Sequence, residues 1–123
     1  MADDDARRTR ALERLASLGD EPGGEEFLAR MGSLGEWIVD FAFGDVHTRP
    51  GLDARERELI IVAVLASLGA NDPQVAAHIR ALRCIDVPFS EIEEAILQIV
   101  PYAGIPRGVN AIKVLRAEQE AEA

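Results

Sequence analysis

Histidine, glutamate and arginine side chains bracket an apolar run of this sequence, and their placement is the first thing to explain. His47 and Arg49 stand in the segment FGDVHTRPGL, Glu58 immediately precedes the run Leu59–Leu68, and His78 follows in QVAAHIRAL. An unperturbed imidazole titrates at about 6.5, so His78 has the chemistry of a general acid or base near neutrality. It also lies beside the helix face marked by Val75, Ile79 and Leu82, where a core histidine bonded to a backbone carbonyl would sit. Glu58 reads either as a surface residue of a first helical turn or as a carboxylate tipped into a cavity. In the second case it would orient the imidazole and stabilise its charged form. The twenty positions from Glu58 to His78 suit two antiparallel helices joined by a short turn, which lets the two residues meet near one end of the pair. Arg49 precedes a proline and is biased towards extended backbone. Its planar fork could hold a carboxylate with two hydrogen bonds, or pair with one of the local acids. His47 offers the same alternatives more weakly, and Arg55 and Arg57 read as helix-surface charges.

Other chemistries find less support. The two histidines lie far apart, with neither HExxH nor paired-cysteine spacing, so no metal centre is expected. There is no glycine-rich phosphate loop and no serine in a GxSxG elbow. Cys84 is the one cysteine, which excludes an intrachain disulfide and a single-chain thiolate cluster and fits a reducing compartment. With 22 acidic against 13 basic residues, net −9, the chain repels phosphate backbones and anionic lipid. Neither nucleic acid nor a membrane is an expected partner. The leading segment MADDDARRTR lacks the apolar core of a signal peptide, and no run approaches the roughly 18 apolar residues of a membrane span. The expectation is a soluble cytoplasmic protein.

These residues need a scaffold. A chain of 123 residues, 48% apolar but with only six aromatic residues, suits one domain whose core is Leu, Ile, Val and Ala, a composition that favours packed helices. Leu12, Leu15 and Leu18 recur at helical spacing before the break GDEPGG, Gly19 to Gly24. A second helical stretch, Glu25 to Phe43, carries Phe27, Leu28, Met31, Leu34, Trp37, Ile38 and Phe41. Gly32 and Gly35 weaken it, so two short helices are an alternative to one. Asp53 reads as an N-cap with Glu56 completing a capping box, opening a helix that runs to Gly69. Asn71-Asp72-Pro73 starts the next helix, with proline at its first position. Ser90 and Glu93 form a second capping box for a helix through about Val100, which Pro101 and Gly104 break. Pro106 opens the last helix, which frays into EQEAEA. The expected fold is all-α, a single domain of about six helices over 1–123. Its N-terminal helix and turn span 1–24, its core 25–110, and its C-terminal helix and frayed tail 111–123.

The segment FAFGDVHTRPGLDARERELIIVAVLASLGANDPQVAAHIRAL resembles the carboxymuconolactone decarboxylase family. That family's pattern runs FGD, a variable pair, Ser or Thr, then RPGL, followed by R-E-L with an apolar helix, a short turn and an A-H-I segment. Downstream, EIEEAILQIVPYAGIPRGVNAI is similar to the family's ending. The resemblance implies an alkylhydroperoxidase-like helical fold and homo-oligomers, trimers or hexamers, with pockets near subunit contacts. Trp37, Phe41 and Phe43 would serve such contacts if they are not core.

One branch of the family reduces peroxides with a C-x-x-C pair ahead of the histidine. Here ANDPQ occupies that turn and Cys84 has no partner, so peroxidase chemistry is disfavoured. The other branch converts 4-carboxymuconolactone to the 3-oxoadipate enol-lactone and carbon dioxide. It implies Arg49 as the binder of a small carboxylate or lactone substrate, His78 for proton transfer, Glu58 setting the charge of His78, and His47 and the Tyr102 hydroxyl as pocket donors. The unsaturated lactone is its own electron sink, so the resemblance implies no cofactor and no metal. Three departures from the pattern widen the substrate to another small lactone or keto acid. His47 stands where the family often has Trp or Tyr, and Arg107 stands where a small residue is common. Asp86 in RCIDVP occupies a site where glycine would take a left-handed conformation cheaply. The alternative is a non-catalytic small-molecule-binding or scaffold member of the family.

Overall fold

In the computed structural model, which describes residues 2–21 and 24–123, the chain is helical throughout, with no strand among the described residues. Pro22 and Gly23 of the expected GDEPGG break, and Met1, lie outside that range. Seven α-helices and one π-helical segment follow in order: α1 Ala2–Ser17, α2 Gly24–Arg30, α3 Ser33–Trp37, the π segment Ile38–His47, α4 Ala54–Leu68, α5 Asp72–Cys84, α6 Phe89–Ala103 and α7 Ile105–Glu122. The count exceeds six because the stretch from Glu25 to Phe43 divides at Gly32, which turns with φ +59°, and its second part widens into the π segment. No helix among the described residues is long and apolar enough to cross a membrane.

Two apolar clusters hold these elements. Val62 and Ala66 of α4, Val75, Ile79 and Leu82 of α5, Ile92, Ile96 and Ile99 of α6, and Ala111 and Leu115 of α7 form the larger one. Ala11, Leu15 and Leu18 pack on Val39 and Phe43 of the π segment in the smaller, which also takes Ala81 of α5, and Ile85 packs against both clusters. The stripe that α1 buries is thus Ala11–Leu15–Leu18, rotated from the expected one, and Leu12 is exposed. Arg14 lies on the buried stripe, one turn from Ala11 and Leu18.

The local signals fare unevenly. Asp53 and Glu56 close a reciprocal capping box at the start of α4, as expected, with Asp53 accepting from the Glu56 N–H at 2.8 Å and Glu56 from the Asp53 N–H at 3.0 Å. Ser90 does not cap α6. That helix starts at Phe89 after the extended Pro88, so Ser90 is already helical, and Glu93 pairs instead with Arg116 at 2.6 Å. Pro101 does not break α6 either. The carbonyl of Leu97, which a proline cannot satisfy, lies among exposed residues where water can, and the helix continues to Ala103. Proline is the second residue of α5 rather than the first, and Asn71 makes no side-chain cap bond. Helix α7 does not fray at EQEAEA. Arg80 holds Glu118 at 2.6 Å, and Arg83 grips Glu122 with two bonds of 2.6 and 2.9 Å, which carry the helix to Glu122. Asp86 takes the left-handed conformation expected of it, φ +63°.

Gly44 sets how closely α1 approaches the π segment. A Cβ there would stand 2.9 Å from the backbone carbonyl oxygen of Arg7 and 3.3 Å from that of Val39. Neither neighbour is a flexible side-chain end, so a methyl group must push the two elements apart. Gly44→Ala is expected to destabilise the fold by about 1–3 kcal/mol, the usual cost of overpacking, checked by urea unfolding.

Candidate active site

The seam between the two clusters is where the ionisable residues meet. Glu58, in the second turn of α4, is wholly buried, 0% exposed. Its two oxygens are shared between two rings: Oε2 lies 2.6 Å from Nε2 of His47, at the end of the π segment, and Oε1 lies 2.6 Å from Nδ1 of His78 on α5. The short link from Gly69 to Asn71 folds α5 back along α4, which is why residues twenty positions apart can touch. Burial places this unit out of bulk water, where a carboxylate needs partners on both oxygens.

The donors can be assigned. Nη1 of Arg14 faces Nδ1 of His47 at 2.9 Å and donates to the His47 carbonyl at 2.7 Å. A guanidinium only donates, so Nδ1 of His47 must present its lone pair and the ring proton resides on Nε2, pointed at Glu58. Phe43 stacks on the same ring at 4.9 Å. His47 is 3% exposed and has both nitrogens engaged. It therefore has no donor left for a bound molecule, and its expected part in a pocket gives way to an internal one. His78 differs. Nδ1–H goes to Glu58, the side chain is 12% exposed, and Nε2 has no hydrogen-bond partner among the described residues and is the nitrogen left accessible.

Burial pushes the Glu58 carboxyl up, but the hydrogen bonds from His47 and His78, with the charge of the His78 ring when protonated, outweigh it and hold the group below its ordinary 4.5. A folded-state value below the unfolded one means that this group's contribution to stability is complete above about pH 4.5 and is lost as pH falls through the folded value. Asp40 and Glu122, lowered by Arg8 and Arg83, act in the same direction, but they lie at the surface, where solvent screens them. In urea titrations from about pH 7 to pH 3, wild type is therefore expected to lose stability more steeply than Glu58→Gln, the difference opening below the ordinary carboxyl range.

The other candidates sit apart from the trio. Arg49 is exposed two residues beyond His47, its carbonyl fixed by Arg57 at 3.0 Å and its side chain in no ion pair among the described residues. Arg57 also bonds the Leu52 carbonyl at 3.0 Å, so it braces the RPGL loop rather than merely decorating the helix. Tyr102 is 89% exposed, and no hydrogen bond joins it to the cluster. Phe43 is core, whereas Trp37 and Phe41 are exposed. A groove of about 600 Å³ runs between α1, α2, α3 and the π segment, but it is lined by residues such as Leu12, Leu28 and Val39 and by no member of the trio. Arg14 was absent from the sequence-based candidates. The signal that could have found it is an arginine on the buried stripe of an amphipathic helix.

Fold and cluster together define a class: all-α proteins that hold a histidine–glutamate pair at a helix seam with one ring nitrogen accessible. The chain belongs to the carboxymuconolactone decarboxylase family, whose model matches residues 33–117. It is 41% identical over 70 residues to the 4-carboxymuconolactone decarboxylase of Acinetobacter baylyi, covering 57% of this chain and 52% of that protein. Against the nitrosuccinic acid decarboxylase npaB of Metarhizium robertsii it is 33% identical over 79 residues, 64% of this chain and 54% of the relative. An uncharacterized 15.0 kDa protein from the nqo9-nqo10 intergenic region of Paracoccus denitrificans is 28% identical over 89 residues, covering 69% and 66% of the two chains. The chain thus spans about half the length of the two named decarboxylases.

Proposed function

We propose that this chain is a carboxy-lyase acting on a small organic acid of the 4-carboxymuconolactone type, with His78 as the proton donor. The observation that carries the reading is that His78 is bonded through Nδ1 to a buried carboxylate while Nε2 is left accessible. Glu58 supports the imidazolium, so Nε2 can hand a proton to a bound molecule.

The names of the two decarboxylases share one chemical demand. Each substrate carries its carboxylate where the electrons left by carbon dioxide can flow into an acceptor, an unsaturated lactone in one and a nitro group in the other. In the lactone the bond from carbon to the carboxylate carbon breaks, carbon dioxide leaves, and the electron pair enters the conjugated carbonyl as a dienolate. Nε2–H of His78 then protonates carbon, and the neutral ring regains its proton from solvent. Arg49, exposed and free of ion pairs among the described residues, is the cation proposed for the substrate carboxylate. Tyr102 and a second copy of the chain belong to the same proposal. The exposed stripe Ile60, Val64 and Leu68 on α4, with Trp37 and Phe41, is apolar surface that a homo-oligomer would cover.

The test is to incubate the protein with 4-carboxymuconolactone, and separately with nitrosuccinic acid, and to follow release of carbon dioxide. Turnover of either sets the substrate class; release from neither at high protein concentration rejects the reading. Arg49→Ala is expected to raise KM about 10–100-fold, the worth of a charged hydrogen bond, with a smaller change in kcat. An unchanged KM would remove Arg49 from carboxylate binding.

A further inference from the structure

We propose that Arg14 is a positioning residue: by occupying Nδ1 of His47 it locks that ring in its Nε2–H form and so reserves the charge of Glu58 for His78. Its effect on turnover rests on the decarboxylase reading above; the tautomer lock does not. Arg14 belongs to α1 and lies outside residues 33–117, the part matched by the family.

Three observations carry the inference. One nitrogen of Arg14 reaches both the ring and the backbone carbonyl of His47, at 2.9 and 2.7 Å, so it fixes the ring and its anchor together. Among the described residues no carboxylate pairs with Arg14, although the chain is rich in acids and the neighbouring Arg7 and Arg8 each hold aspartates. The guanidinium is thus directed at His47, ring and carbonyl, and not at an acid. His47 is also 3% exposed, so a second ring proton would set N–H against N–H and cation beside cation with almost no water to screen them.

The consequence falls on Glu58. A doubly protonated His47 would be a second full positive charge on the same carboxylate, competing with the imidazolium of His78. With Arg14 in place, His47 donates one neutral hydrogen bond and the negative charge of Glu58 stays available to His78. The close approach that Gly44 permits between α1 and the π segment is what brings Arg14 within reach.

The experiment compares nitrogen-15 imidazole spectra of the full chain in wild type, Arg14→Met and Arg14→Lys, alongside kcat and KM for decarboxylation. Wild type is expected to show His47 protonated at Nε2 only. Arg14→Met is expected to gain an Nδ1 proton on His47 and to lose roughly tenfold or more in kcat, the usual effect of removing a partner that sets a tautomer. KM should hold, because Arg14 is bonded to His47 and not to His78. Arg14→Lys, which keeps a charged donor, should retain the wild-type ring spectrum and recover part of kcat. A merely structural role would lower the melting temperature and leave the ring spectrum alone. The proposal is overturned if wild-type His47 carries its proton on Nδ1, if Arg14→Met keeps the wild-type ring spectrum, or if that spectrum changes while kcat does not. Should wild type turn over neither acid, the decarboxylase reading fails, while the ring spectra still decide the lock. If Arg14→Met does not fold, the wild-type and lysine spectra decide it.

Discussion

His78→Gln is expected to lower kcat for decarboxylation by about 10²–10⁴-fold, the range that a positioned proton donor supplies. The side-chain amide of glutamine can still donate to Oε1 of Glu58, the bond that Nδ1–H makes at 2.6 Å. It cannot deliver a proton to carbon. His78 lies at the edge of the core, partly exposed, so the change in stability should stay within about 1 kcal/mol. A large loss of kcat at nearly constant melting temperature is therefore the signature, read from carbon dioxide release and thermal denaturation on the same samples. Turnover within a factor of two of wild type would dismiss His78 as the donor.

Substitution of Glu58 separates its charge from its structural role. In Glu58→Ala the Nε2–H of His47 loses its acceptor in a buried site, Arg14 still blocks the ring's other nitrogen, and a void opens beside both imidazoles. Removing one member of a buried, hydrogen-bonded group costs about 3–5 kcal/mol, enough to lower the melting temperature by on the order of 10 °C in a domain of this size. Glu58→Gln is milder. Its carbonyl can accept from Nε2–H of His47, and its amide can donate to Nδ1 of His78 once that ring moves its own proton to Nε2. The hydrogen bonds survive, but no carboxylate remains to support an imidazolium. Both variants should lose at least about a hundredfold in kcat, while the glutamine variant keeps most of the stability. If Glu58→Gln retained wild-type turnover, the charge of this residue would have no part in the chemistry.

Much of the scaffold was legible in the chain because its signals are local. The Asp53–Glu56 box opens α4 as its spacing requires, Gly32 divides the second stretch, and Asp86 accepts a left-handed turn. Signals of the same kind failed where a neighbour won. Phe89 follows an extended proline directly and leaves Ser90 inside the helix, and Leu97, whose carbonyl Pro101 abandons, is exposed, where water can satisfy that group. The rotation of α1 was misjudged by one residue because a leucine at position 12 outweighs an alanine at 11 in any hydrophobicity pattern. That one residue hid Arg14.

The chain by itself determined an all-helical protein, a histidine and a glutamate at a spacing that permits a meeting across two antiparallel helices, and a motif set specific enough to mark the family. Periodicity and capping act within a few residues of one another, so they survive in a one-dimensional reading. Only the tertiary structure decided that His47 turns inward onto Glu58 and that an arginine from α1 closes the chain of hydrogen bonds. The tertiary structure alone also left Tyr102 on the surface. Those outcomes depend on how closely helices far apart in sequence approach, which is set by packing at Gly44 and Phe43, and by the need of one buried charge for partners on both its oxygens.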